Sequence, residues 1–227
     1  QQELSFFHGY YDSYCYLPLV GTLCFNDEPE QYLLCAVLRP GNSAAHAGLV
    51  AILERVLAKL RSAFPRARLR VRLDGGFGAP AVLDFLDAAG VEYVVGLAAT
   101  KPLRNRARRA LGTARRLYRE QDETVSVFGD TLYKTKTTWP ERRRVIYKAE
   151  VVQLPGREPK DNVRFVVTNL PQRPEHVYRL YTNRGDPENR IKELKNDLAM
   201  GRTSCSRFFA NQLRVLMTAA AYVLMQE

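Results

Sequence analysis

The sequence predicts an α/β protein, and three observations carry that prediction. Residues 68–74 alternate, with Leu69, Val71 and Leu73 on one side and Arg68, Arg70 and Arg72 on the other, as in a strand with one buried face. A short apolar helix signal follows at Val82, Leu83, Phe85 and Leu86. Residues 91–97 then read as another strand, so the three segments form a βαβ unit with a parallel pair. Upstream, Leu49, Ile52, Leu53, Val56, Leu57 and Leu60 recur at helical spacing.

The other elements follow in order. Residues 10–23, rich in Tyr, Val and Leu, and residues 31–38 read as strands. The polar turn Asn26-Asp27-Glu28-Pro29 joins them into an antiparallel hairpin. Pro40-Gly41-Asn42-Ser43 stops the second strand and supplies a helix cap, and the helix ends before Pro65. Pro80 suits the first turn of the βαβ helix, and Gly90 its end. The text changes at Lys101: residues 101–120 hold Lys101, Arg104, Arg106, Arg108, Arg109, Arg115, Arg116 and Arg119 against one acid, Glu120. Four β-type runs are expected next, at 123–128, 131–137, 144–154 and 163–168, with turns at Gly129-Asp130, Pro140-Glu141 and Pro155-Gly156. They read as a β-rich insertion entered through the basic segment. Two helices close the chain, at about 174–200 and 206–226. The second is apolar on most sides, which predicts burial, with Met217 and Met225 in the core.

Composition narrows the partners. The chain has 227 residues, a net charge of +10 and a pI near 9.6. Hydrophobic residues at 46% and charged residues at 26% describe a globular chain, not a disordered one. The surplus of positive charge points to nucleic acid or another polyanion. No stretch reaches the roughly 20 apolar residues of a membrane span. The longest candidate, Val215 to Met225, is preceded by Arg214 and interrupted by Thr218, so no membrane partner is expected. No secretory signal is visible at Gln1-Gln2-Glu3, and the missing initiator Met suggests a trimmed chain. Cys15, Cys24, Cys35 and Cys205 lack CxxC spacing and read as buried free thiols of a reducing cytoplasm. The scattered His8, His46 and His176 speak against a zinc site.

Two stretches carry chemistry. Asp74 stands at the C-terminal end of a strand, followed by Gly75-Gly76-Phe77-Gly78. In an open α/β sheet, strand ends converge there and glycines let a ligand come close. A plain Asp-Gly turn is the alternative. The second stretch runs from Tyr181 through Arg184 and Glu188 to Lys195. On a continuous helix at about 100° per residue, these four share an arc of about 60° beside the apolar stripe Ile191, Leu194 and Leu198. A break at Gly185-Asp186-Pro187 would leave Tyr181 and Arg184 on a separate turn while Glu188 and Lys195 still align. An ordinary salt-bridged amphipathic helix is the alternative.

This second stretch resembles the Tyr-(2)-Arg-(3)-Glu-(6)-Lys signature of bacterial insertion-sequence transposases of the DDE type, with every spacing met. The opening Gln1-Gln2-Glu3, then Phe7-His8-Gly9-Tyr10-Tyr11-Asp12 and Tyr16-Leu17-Pro18-Leu19, and the strand ending Leu73-Asp74-Gly75-Gly76-Phe77, resemble one subgroup of that family. The likeness spans essentially the whole chain. It implies a ribonuclease H-like mixed sheet flanked by helices and interrupted by a β-rich insertion. On that pattern, residues 1–100 form the first part of the core. Residues 101–172 form the basic segment and insertion, and 173–227 the closing helices.

The resemblance also assigns roles. Asp74 matches the family's second catalytic Asp and Glu188 its Glu; both would bind the two Mg²⁺ (or Mn²⁺) ions of the complete site. Tyr181, Arg184 and Lys195 match the supporting residues. The first Asp has no counterpart, because Asp12 sits in the context of the family's second strand. The expectation is therefore an N-terminally truncated chain, inactive as it stands. The implied substrate is double-stranded DNA, both element ends and target, cut and joined by a homodimer synapsed on DNA in the bacterial cytoplasm at the nucleoid. Arg104, Arg108, Arg109, Arg115, Arg116, Arg142 and Arg143 are candidates to line the DNA path, against a merely solvated surface. Trp139 is a candidate to stack on an unpaired base, against structural packing. A non-catalytic DNA-binding protein derived from such a transposase is the alternative function. A metal-dependent nuclease without strand transfer is a third.

Overall fold

A computed structural model describes residues 2–26, 28–135, 138–182 and 185–226, without the side chains of 185–187. Among these residues it is a mixed α/β fold with six α-helices and a five-stranded mixed sheet. The chain divides into two compact units, Gln1–Ala44 with Arg184–Glu227, and Ala45–Asn183.

The first unit opens with two antiparallel hairpins. β1 (Phe6–His8) pairs with β2 (Ser13–Cys15), and β3 (Leu19–Leu23) pairs with β4 (Tyr32–Val37). The second is the expected hairpin. The first was not foreseen: residues 10–23 do not run on as one strand, because Pro18 has no N–H to give to a ladder.

The second unit starts with α1 (Leu49–Ala63), which begins later than the Asn42-Ser43 cap signal and buries Leu49, Leu53 and Leu57 on one face. β5 (Arg70–Leu73), α2 (Pro80–Ala88) and β6 (Glu92–Leu97) build the expected βαβ unit. β5 and β6 are parallel, Pro80 is in the first turn of α2, and an Arg70–Glu92 ion pair at 2.6 Å joins the two strands. The basic segment is one 21-residue helix, α3 (Lys101–Gln121).

Among the described residues three strands follow instead of four, β7 (Val125–Tyr133), β8 (Arg143–Val152) and β9 (Lys160–Thr168), and the end of the run expected at 131–137 lies outside the described residues. Gly129-Asp130 is no turn. Gly129 pairs with Tyr147 across the ladder, and a β-carbon there would fall 2.6 Å from the Tyr147 ring. The glycine makes room for a large neighbour inside a continuous strand. The sheet order is β5-β6-β9-β8-β7, antiparallel except for β5 and β6, so these strands extend the βαβ sheet directly. α4 (Pro174–Thr182) covers one face, with Val177 and Tyr178 packed on Val94, Ile146 and Val166. The alternate set, Val95, Val145 and Val167, is buried on the other face, where α3 packs through Leu103, Ala107 and Ala114.

The first unit resumes with α5 (Gly185–Lys192), a π turn at Glu193–Asp197 and α6 (Phe208–Gln226). Among the described residues, the helix expected over 174–200 passes into π winding at Glu193–Asp197 and ends at Leu198. Tyr16, Ala36, Leu38, Leu194, Met200, Val215 and Tyr222 form this unit's core. α6 corrects two expectations. It buries only Asn211, Val215 and Tyr222, while Met217 (64%) and Met225 (72%) are exposed and outside the core, because one stripe alone meets β4. By length and composition α6 is also apolar enough to cross a membrane, with a mean hydropathy of 1.3. Averaged over the helix, Arg214 and Thr218 dilute its apolar character without cancelling it. All four cysteines are half-buried, less enclosed than expected.

Candidate active site

The second unit carries Asp74 and Tyr181. Asp74 is exposed at the end of β5, where the strand gives way to a 3₁₀ turn over Gly75–Phe77. It caps that turn: the Gly75 N–H donates to its Oδ1 at 2.7 Å. The turn lies against β6, and a β-carbon on Gly78 would come within 3.3 Å of the Gly96 carbonyl and of Leu97. The strand tip therefore holds its carboxylate on a short, backbone-packed turn, an arrangement that the plain Asp-Gly turn reading shares.

Tyr181 reaches the same place from the last turn of α4. It is half-buried, its ring 6.0 Å from that of Tyr178. A β-carbon built on Gly96 would lie 2.6 Å from the Tyr181 hydroxyl and 2.8 Å from the Gly75 nitrogen, so hydroxyl and turn converge on one point of β6. Arg72 ties strand to helix by donating from Nη1 to the Leu180 carbonyl at 3.2 Å. Gly96 and Arg72 were not singled out from the sequence. A lone glycine within an apolar strand is the signal for the first.

Glu188 and Lys195 belong to the first unit. Glu188 is exposed on α5, and Lys195 is exposed in the π turn. The π turn winds more loosely than an α-helix, so the even phase assumed from Glu188 to Lys195 is interrupted. Leu194 is fully buried, with Ile191 and Leu198 half-buried beside it, so the apolar stripe is as expected. Glu193 anchors the segment: Arg190 donates to both its carboxylate oxygens at 2.9 Å, and the Tyr222 hydroxyl donates to Oε2 at 2.6 Å. Arg184 lies outside the described residues. Among the described residues, no group of three or more His, Cys, Asp or Glu is assembled to hold a metal ion. The oxygen donors of Asp74 and Glu188 are of the hard type that suits Mg²⁺.

The basic candidates divide. Arg104, Arg108, Arg109 and Arg116 are exposed on α3, and Arg142 is exposed just before β8. Arg115 is exposed too, but its guanidinium is engaged with Asp161, Nε lying 3.2 and 3.1 Å from the two oxygens. Arg143 is only 10% exposed and bridges Asp84, Asp87 and the Tyr93 hydroxyl. These groups line a cleft of about 530 Å³ bounded by Arg142, Arg144 and residues 168–171. With its Nη donors turned onto two carboxylates and a tyrosine, Arg143 ties α2, β6 and β8 together there. Trp139 is 5% exposed, its ring 6.0 Å from Tyr133 and edge-on to it, which fits packing.

No curated protein matches the chain significantly. A family model described as the transposase DDE domain, group 1, matches residues 1–227, the whole chain, and the protein belongs to that family of DNA-acting polynucleotidyl transferases.

Proposed function

We propose that the chain is the catalytic domain of an insertion-sequence transposase. It would hydrolyse the phosphodiester at the element ends, freeing a 3′-OH, which would then attack a target phosphodiester, joining to its 5′-phosphate side while the target's own 3′-oxygen leaves. Asp74 at the tip of β5, with Tyr181 of the four-residue motif beside it, carries this reading. The core would be ribonuclease H-like, with 1–100 and 173–227 as its parts and 101–172 as the basic segment and insertion. The protein would act as a homodimer on DNA in the bacterial cytoplasm.

Asp74 and Glu188 are the carboxylates that would hold Mg²⁺ or Mn²⁺. When bound, two such ions supply an activated water and neutralise the phosphate charge. The chain's own groups do the rest. The Gly75 N–H fixes one oxygen of Asp74 and so orients the carboxylate. The Tyr181 hydroxyl, which lies beside the same turn, would hydrogen-bond a phosphate oxygen. Arg184 supplies a planar fork and Lys195 a point charge for phosphate contact. Arg104, Arg108, Arg109, Arg116 and Arg142 extend a basic surface for the duplex.

The test is cleavage by the full-length gene product. Asp74→Ala and Glu188→Ala are each expected to abolish cleavage of element-end DNA and leave its binding intact. Undiminished cleavage by either variant overturns the assignment. A full-length protein that binds DNA without cutting it in Mg²⁺ or Mn²⁺ belongs to the non-catalytic alternative, and cleavage without joined product to a nuclease.

A further inference from the structure

We propose that Gly96 is a positioning residue of this site: the side chain it lacks leaves a notch on β6 that fixes where the Asp74 turn and the Tyr181 hydroxyl meet. The proposal rests on the reading of Asp74 as a catalytic carboxylate.

Glycine within a strand gives up packing and conformational stability, so its presence needs a reason. Backbone conformation is not that reason, because the φ of Gly96 lies outside the left-handed region. Space is. A β-carbon at 96 would stand 2.6 Å from the Tyr181 hydroxyl oxygen, 2.8 Å from the Gly75 nitrogen and 3.1 Å from the Gly75 α-carbon. Carbon does not tolerate such distances, and two of the three partners are main chain that cannot swing aside. Tyr181 arrives from the end of α4, and Gly75 directly follows Asp74. One methyl group at 96 would therefore displace the turn that carries the carboxylate and the hydroxyl beside it together. The neighbouring Val94 and Val95 are fully buried, so the strand itself has no freedom to yield.

The experiment compares Gly96→Ala and Tyr181→Phe, singly and together, in the full-length protein. Gly112→Ala is the control, since a β-carbon there meets nothing within 4 Å. Thermal melting and cleavage of element-end DNA are both read, with binding of the same DNA. Gly96→Ala is expected to cut about 100-fold more slowly with Mg²⁺, the cost of a displacement near 1 Å, while binding DNA as the wild type does. Part of the loss should return with Mn²⁺, because Mg²⁺ demands near-ideal octahedral geometry. In melting, the double variant should be more stable than Gly96→Ala alone, because removing the hydroxyl opens the closest contact. Wild-type cleavage by Gly96→Ala, an equal loss with both ions, or a double variant no more stable than Gly96→Ala overturns the proposal. Cleavage that survives Asp74→Ala sinks the catalytic reading instead and leaves the melting comparison as the test of the notch.

Discussion

Arg143 enters its cluster from the start of β8 and meets carboxylates that stand four and seven residues into α2 from Pro80. A guanidinium with this little exposure needs its partners, since an unpaired buried charge is costly. Asp84 and Asp87 are half exposed and lose less when it goes. Arg143→Gln is expected to destabilise the protein by about 2 kcal/mol, a fall of about 4–8 °C in Tm. DNA affinity should not change, which separates this residue from Arg142 beside it. Tyr93 adds a pH dependence. Burial pushes its hydroxyl up to about 12, against the pull of the Arg143 cation. An unfolded tyrosine ionises near pH 10. The fold thus holds this proton more tightly than the unfolded chain does. The stability it contributes is complete below about pH 10 and is lost as pH rises towards 12. Urea unfolding across that window should show a shallower loss of stability in Tyr93→Phe than in the wild type. Run at Arg142-Arg143-Arg144, the sequence marks three like residues. Nothing local says that the middle one turns inward, because Asp84 and Asp87 lie more than fifty positions away.

α3 is the element whose sequence says most about its surroundings. Leu103, Ala107 and Ala114 fall on one face and are buried, and the arginines between them point outward. Helical period explains that division once the helix is in hand, whereas the sequence reading marked only a basic segment there. If the outer face tracks a duplex, each phosphate contact contributes about 0.9 to the slope of log affinity against log salt. Replacing Arg104, Arg108 and Arg109 together by Gln should reduce that slope by up to about 3 and weaken binding to all sequences alike. An unchanged slope would place the duplex elsewhere. β7 was misread outright. Glycine followed by aspartate is a strong turn signal, and only the opposed Tyr147 explains why the strand runs through it. The βαβ unit was fully legible, since alternation, Pro80 and Gly90 are local signals. The π turn at Glu193–Asp197 was not, because the ion pairs and the Tyr222 hydroxyl that grip Glu193 come partly from α6.

At the scale of the whole chain, charge and shape give different kinds of information. The surplus of +10 was a statement about partners, and it is concentrated on α3 and the entry to β8. Shape set the limit on α6. From its composition the helix had to be a core element, yet a single stripe is satisfied by β4 and the rest of its apolar surface faces outward. Phe209 at 81%, Leu213 at 58%, Leu224 at 74% and Met225 at 72% stand open along its length. The colloidal behaviour of the isolated chain follows. Like-charge repulsion keeps molecules apart at low ionic strength, and its range falls to about 8 Å at 0.15 M salt. Sulfate then strengthens the attraction between apolar faces. Light scattering should therefore rise as sodium sulfate is added, and Leu213→Gln with Leu224→Gln should delay that rise. On this expectation the open apolar face of one helix, and not the net charge, would decide how concentrated the chain can become in salt before it associates.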